Sequence, residues 1–200
     1  MVKTIIPVGT SLGPYFNENR ELECCEVQLG METVEVTDEE WAVWRISHHN
    51  AELHSQRKYG IDSLVKDVQS ENDHLNRLEI KRHFFRLKEL NLLIQFDYEA
   101  DSVESFLRSF KMAPTAVSWG NLPDSPDKFR IGPDQENYIE ISGLNRGVWI
   151  LAHKFVSIWG ACEKIAEMAN TADVKAIATD FMSDIPLMIS MQCGHLEPAK

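Results

Sequence analysis

The stretch Val34-Glu-Val-Thr-Asp-Glu-Glu-Trp-Ala-Val-Trp-Arg-Ile-Ser-His48 decides how the rest of the chain is read, because it returns without gaps as Ile139-Glu-Ile-Ser-Gly-Leu-Asn-Arg-Gly-Val-Trp-Ile-Leu-Ala-His153. Four of the 15 aligned positions are identical: Glu35/Glu140, Val43/Val148, Trp44/Trp149 and His48/His153. Five more are conservative: Val34/Ile139, Val36/Ile141, Thr37/Ser142, Ile46/Leu151 and Ser47/Ala152. Each copy begins with strand-like alternation, crosses a hydroxyl residue and continues with apolar residues at helical spacing. Thr37 followed three residues later by Glu40 is a capping box that starts a helix. Trp41, Trp44 and His48 then fall at i, i+3 and i+7 on one face of it.

The similarity extends outward. Upstream, Val27-Gln-Leu-Gly30 matches Phe129-Arg-Ile-Gly132, and Pro7-Val-Gly9 matches the region 114–120. Downstream, Leu90-Asn-Leu-Leu93 matches Cys193-Gly-His-Leu196, where Asn91 and Gly194 suit the left-handed residue that closes a helix. A common order at one near-constant offset is the mark of an internal duplication. In the first unit, strands are expected over 23–28 and 33–36 around the Gly30 turn, followed by the capped helix. A loop through Tyr59-Gly60 leads to a helix over 61–68, and Ser70 caps a longer helix ending near Leu90; residues 92–96 read as a strand. The second unit repeats the plan, with strands over 129–131 and 138–141 and Ser142 as the cap. Its helices are expected over 146–155, 157–169 and 174–182, with a last short one beginning near Ile185-Pro186. The domains are therefore 1–98, a connecting segment 99–112 with a helix over 103–110, and 113–200; residues 121–127 are a turn-rich loop.

Three helices followed by a strand, the last helix closed by Asn or Gly, resembles the winged-helix domain, in which the strand after the third helix begins the wing. The fold this implies is α+β: two tandem winged-helix-like units, each with a short β-hairpin before a helical bundle. Tandem acidic winged-helix proteins among bacterial chromosome-segregation subunits have a similar general plan.

The chain has 200 residues, 44% of them hydrophobic and 26% charged, which suits one medium domain or two small ones. No apolar run approaches the ~18–20 residues that span a bilayer, and the N-terminal residues lack the apolar core of a signal peptide, so a cytoplasmic protein with no membrane partner is expected. Cys24, Cys25, Cys162 and Cys193 form no C-x-x-C pair and read as reduced thiols. The net charge of −11 disfavours bulk attraction to nucleic acid or to anionic membranes. Its distribution is uneven: residues 1–48 carry nine acids and three bases, whereas residues 49–90 carry seven acids and eight bases.

That basic stretch supplies the main candidate site. Residues 74–90 place Arg77, Lys81, Arg82, Arg86 and Lys88 on one helix, with Arg77, Lys81 and Lys88 within about 40° of one another. A helix-turn-helix sets such a face in the DNA major groove, where Arg and Lys reach phosphates and guanine edges. The competing reading is a solvated face over a core of Leu78, Ile80, Phe84, Phe85 and Leu87. The second unit's counterpart, 172–182, has only Lys175 against Asp173 and Asp180, so a second reader of this kind is not expected.

Other candidates are weaker. His48, His49, His54, His74 and His83 lack the i, i+3 or i, i+4 pairs of a helical zinc site, so no metal is expected. His48 and His153 instead suit structural positions at a helix C-terminus. Gly9-Thr-Ser-Leu-Gly13 is similar to the opening of Rossmann-like nucleotide-sensing domains, but no helix follows to supply amides, so it reads as a plain loop. There is no Gly-x-Ser-x-Gly elbow, and Asp38, Glu39 and Glu40 serve a helix N-terminus. Trp119 is the candidate interface residue. Taken together, the residues suggest a non-enzymatic cytoplasmic adaptor or regulatory subunit without a cofactor, acting through a protein partner or self-association. A DNA-binding transcriptional regulator using 74–90 is the alternative, and a small-ligand sensor is a third.

Overall fold

The computed structural model describes residues 2–171 and 173–199. Ala172, where the counterpart of the basic helix was expected to begin, lies outside the described residues. The chain divides into two compact units, Met1–Asp97 and Tyr98–Lys200. It is mixed α and β, with small antiparallel sheets.

The first unit begins with β1 (Thr4–Pro7), β2 (Thr10–Phe16), β3 (Leu22–Leu29) and β4 (Glu32–Val36). Then come α1 (Asp38–Ile46), the short α2 (Ala51–Ser55), α3 (Ile61–Glu71), α4 (Arg77–Glu89) and β5 (Leu93–Phe96). β2, β3 and β4 form one sheet; β1 and β5 form another. Strand alternation sends Cys25, Val27 and Val36 into the core and Cys24, Glu26 and Glu35 to the opposite face. Thr37 caps α1 and exchanges bonds with Glu40 as the spacing predicts. Helices α1, α3 and α4 pack on one another around Val43, Trp44, Leu64, Val68, Ile80, Phe84 and Leu87.

Three expectations in this unit are corrected. Residues 10–16 are the strand β2 rather than a plain loop, with an irregularity at Gly13, whose φ of 96° favours glycine. Ser70 does not start a helix: its hydroxyl donates to the Asp67 carbonyl inside α3, and Asn76 is the side-chain cap of α4. The strand after α4 exists, but its partner is β1, with Pro7 opposite Leu93. Its partner therefore precedes it in the chain, and among the described residues no hairpin follows it.

The second unit begins with α5 (Val103–Ser109), β6 (Phe110–Pro114), β7 (Val117–Leu122), β8 (Ser125–Gly132) and β9 (Ile139–Ser142). It continues with α6 (Gly143–Leu151), a 3-10 turn (Ala152–Lys154), α7 (Ile158–Met168), α8 (Val174–Ser190) and β10 (Gly194–Pro198). β7, β8 and β9 make a sheet, and β6 pairs with β10. Helices α6, α7 and α8 pack on one another. Residues 121–127 are the end of β7, a tight turn and the start of β8 rather than a loop.

Proline 186 does not open a new helix but sits inside α8. A proline lacks the N–H that would bond the carbonyl four residues earlier. That carbonyl, Met182 O, instead accepts the Tyr98 hydroxyl at 3.2 Å, which lets the helix run through.

The two units share the order β–βββ–α–(short turn)–α–α–β after α5 is set aside. Their register also shows where the sequence matches slip. Val27 faces Val34, and Ile131 faces Ile139, so Ile131 rather than Phe129 is the counterpart of Val27. The left-handed residue after α8 is Gln192 (φ 55°), matching Asn91 (φ 59°); Gly194 is already in the strand. In each unit the next amide closes the helix end, Leu92 N to Leu87 O at 2.9 Å and Cys193 N to Met188 O at 2.7 Å.

Candidate functional site

The most chemically distinctive surface of the first unit is the solvent side of α4. Asn76 accepts from Leu78 N and Glu79 N, and Glu79 returns to the Asn76 amide, so the helix start is firmly set. Ile80, Phe84 and Leu87 face the core. Leu78 and Phe85, seven residues apart and within about 20° on the helix, point away from it, at 77% and 53% exposure. Both were expected in the core. Helix phase gives the reason, since a residue two before Ile80 or one after Phe84 lies roughly a third of a turn or more off the buried stripe.

The five basic residues divide. Arg77 is ion-paired with Asp62 from α3. Arg86 reaches Glu89 at 3.5 Å, and Lys88 donates to Gln95 Oε1 at 3.0 Å. Lys81 and Arg82 have no ion-pair partner among the described residues, and they flank Leu78 and Phe85. The face therefore offers two cations beside two apolar side chains. Phosphate contact needs only the cations; an acidic and apolar protein surface uses both.

A second surface lies on the sheet side turned from the core. Tyr15 stands opposite Cys24 and Glu26 opposite Glu35 on that side; the register shifts between Tyr15 and Phe16, and Phe16 pairs with Leu22 beyond the irregularity. Tyr15, Phe16 and Leu22 are 52%, 55% and 41% exposed. The three strands carry four glutamates and no lysine or arginine. The ligand atoms of Cys24, Glu26 and Glu35 lie within 4.8 Å of one another. Burial, then Glu35, Glu26 and Glu23, pushes the Cys24 thiol above its ordinary range. The sequence carries no direct sign of this surface beyond the alternation of Cys24 and Glu26 with Cys25 and Val27. In the second unit the corresponding register pair is Arg130 opposite Glu140, of opposite sign.

The remaining candidates are placed as follows. His48 is half-buried, stacks edge-on against Trp44 and donates to the Trp44 carbonyl at 3.0 Å. Burial lowers its pKa to about 4. His153, its sequence counterpart, is exposed in the 3-10 turn. His54 is fully buried, donates to Ser47 O at 3.1 Å, stacks on Tyr59 and is likewise lowered by burial to about 4. Trp44 Nε1 donates to Val8 O at 3.1 Å and Trp149 Nε1 to Cys193 O at 2.9 Å, each just beyond the two-stranded pair of its unit. Trp119 is half-buried on β7 and donates to Gly132 O at 3.1 Å. All four cysteines are free, and burial pushes Cys162 and Cys193 up to about 12.

A pocket of about 380 Å³ in the first unit is lined by Lys3, Lys58, Gly60, Asp62 and Gln95. No helix is long and apolar enough to cross a membrane, among the described residues. No protein-family model, curated protein or solved structure matches the chain.

Proposed function

We propose that this chain is a non-enzymatic cytoplasmic adaptor or regulatory subunit that works by protein–protein contact through the solvent face of α4. The observation that carries the reading is the pairing of Leu78 and Phe85, both largely exposed, with the unpaired cations Lys81 and Arg82. Exposed apolar side chains at the centre of a polar rim are what a docking surface requires. The overall charge of −11 further weakens attraction to phosphate.

The alternative is a DNA-binding regulator using Arg77, Lys81, Arg82, Arg86 and Lys88. It is favoured by the arrangement of α3 and α4 as consecutive packed helices. The test is a titration of mixed-sequence duplex at low and at physiological salt. The docking reading expects no binding at either. Salt-dependent binding that weakens in Lys81→Ala/Arg82→Ala overturns it in favour of DNA.

The reading includes descent of both units from one winged-helix-like ancestor. Its support is the shared element order and the equivalent helix closures at Asn91 and Gln192. An ungapped match also emerges from the strand pairing, in which Pro7, Ser11 and Gly13 correspond to Pro114, Ser118 and Gly120. Gly13 and Gly120 both have positive φ at a strand irregularity, and Ser11 and Ser118 both accept from the helix that follows the sheet, from Trp41 and Arg146.

A further inference from the structure

We infer that the partner of the α4 face is the acidic sheet face of a second copy of this chain, so that copies join head to tail. The inference rests on the docking reading above and names its occupant. The two surfaces complement each other in the two respects that matter. α4 offers Leu78 and Phe85 with the cations Lys81 and Arg82; the sheet offers the exposed Tyr15 with Glu26 and Glu35.

Charge selects this pairing over the symmetric ones. Two α4 faces brought together would set Lys81 and Arg82 against their own kind, and two sheet faces would do the same with glutamates. The sheet face also carries an internal cost that a cation relieves. Glu26 and Glu35 are directly opposite each other, and like charges at such a position destabilise a sheet. In the second unit an arginine occupies the position equivalent to Glu26, opposite Glu140. A guanidinium or ammonium arriving from another copy's α4 supplies to Glu35 a counter-charge that the strands of its own sheet lack.

The edge of β2 is not the docking element. The pairing of β2 slips between Ser11 and Gly13 and Pro14 removes an amide, both of which blunt a sheet edge against strand addition. The contact is therefore side chain to side chain across the sheet face. Because the two faces differ, a single contact leaves the sheet face of one copy and the α4 face of the other free, and the heterologous association grows into a ring or a chain.

The experiment uses the full chain and two single-face variants, Leu78→Asp and Tyr15→Asp, whose side chains are exposed and whose melting curves are compared with the parent. Light scattering is expected to show a parent mass that rises with concentration, and each variant alone remaining a monomer. An equimolar mixture of the two variants retains one intact face of each kind and is expected to form a dimer that grows no further. A parent that stays monomeric to its solubility limit overturns the inference, as does a mixture that stays monomeric. Association lost on adding a chelator also overturns it, and assigns the Cys24, Glu26 and Glu35 cluster to a bridging metal ion. Failure of the docking reading is distinguishable, since it shows as salt-dependent duplex binding that Arg82→Glu abolishes.

Discussion

Glu26 and Glu35 face each other directly across β3 and β4, with the Cys24 thiol beside them, and no lysine or arginine lies on the three strands of their sheet. A directly opposed pair of like charges costs a sheet a few tenths of a kcal/mol up to about 1 kcal/mol. Folding alone does not explain its presence, since the second unit has Arg130 and Glu140 at the corresponding positions.

Glu26→Arg therefore stabilises the isolated monomer by about 0.5 kcal/mol, by exchanging a repulsive cross-strand pair for an attractive one. The same substitution weakens self-association. Urea denaturation at low protein concentration measures the first effect and light scattering the second; a variant that loses stability contradicts the electrostatic account of this face.

Each indole of the repeated tryptophan pair satisfies a carbonyl just past the end of a two-stranded ladder, Trp44 at Val8 and Trp149 at Cys193. Replacing Trp44 by Phe leaves the buried Val8 carbonyl without that donor, at a cost of about 1–3 kcal/mol, whereas the Cys193 carbonyl keeps the Thr115 amide at 3.2 Å, so Trp149→Phe costs less. Denaturant midpoints of Trp44→Phe and Trp149→Phe should both fall. A neutral result for Trp44→Phe shows that the Val8 carbonyl finds another donor.

Tyr98 and Pro186 are coupled through Met182 O, which the tyrosine hydroxyl occupies because proline has no amide to offer. Tyr98→Phe should cost about 1 kcal/mol. In the Pro186→Ala background, where a helical amide is restored to that carbonyl, the same change should cost clearly less. Additive costs in the double-mutant cycle refute the coupling.

Burial holds His48 and His54 neutral, with pKa values of about 4 against an ordinary 6.5. Between these values the unfolded chain binds protons that the folded chain does not, so stability is complete above about pH 6.5 and falls as pH drops toward 4. For fully buried His54 the loss is roughly 3 kcal/mol across that window. Denaturation midpoints at pH 7, 5.5 and 4.5 check the slope, and His54→Gln should flatten it. A pH-independent midpoint in the parent rules out neutral burial.

Much of this architecture is legible in the residues because it is local. The capping box of Thr37 and Glu40, the strand alternation around Val27 and the αL position at Asn91 each depend on a few neighbouring side chains. What escaped is non-local. The partner of β5 lies almost the length of the unit away, at β1, and no nearby pattern announces such a pairing. Pro186 reads as a helix boundary until Tyr98, 88 positions earlier, is seen to satisfy the freed carbonyl. The basic residues of the candidate site were visible, but the apolar pair between them was not. Leu78 and Phe85 were counted as core by residue type, when the phase set by Ile80, Phe84 and Leu87 turns them outward.

The most direct test of the docking account places a photo-activatable cross-linking side chain at position 78 in an equal mixture of isotope-labelled and unlabelled full chain. Mass spectrometry of the digested products then separates links between copies from links within one. The account predicts links between copies, from position 78 to peptides containing Tyr15, Glu26 or Glu35, and their loss in Tyr15→Asp. Links confined to a single copy, or links between copies that join α4 to α4, contradict it.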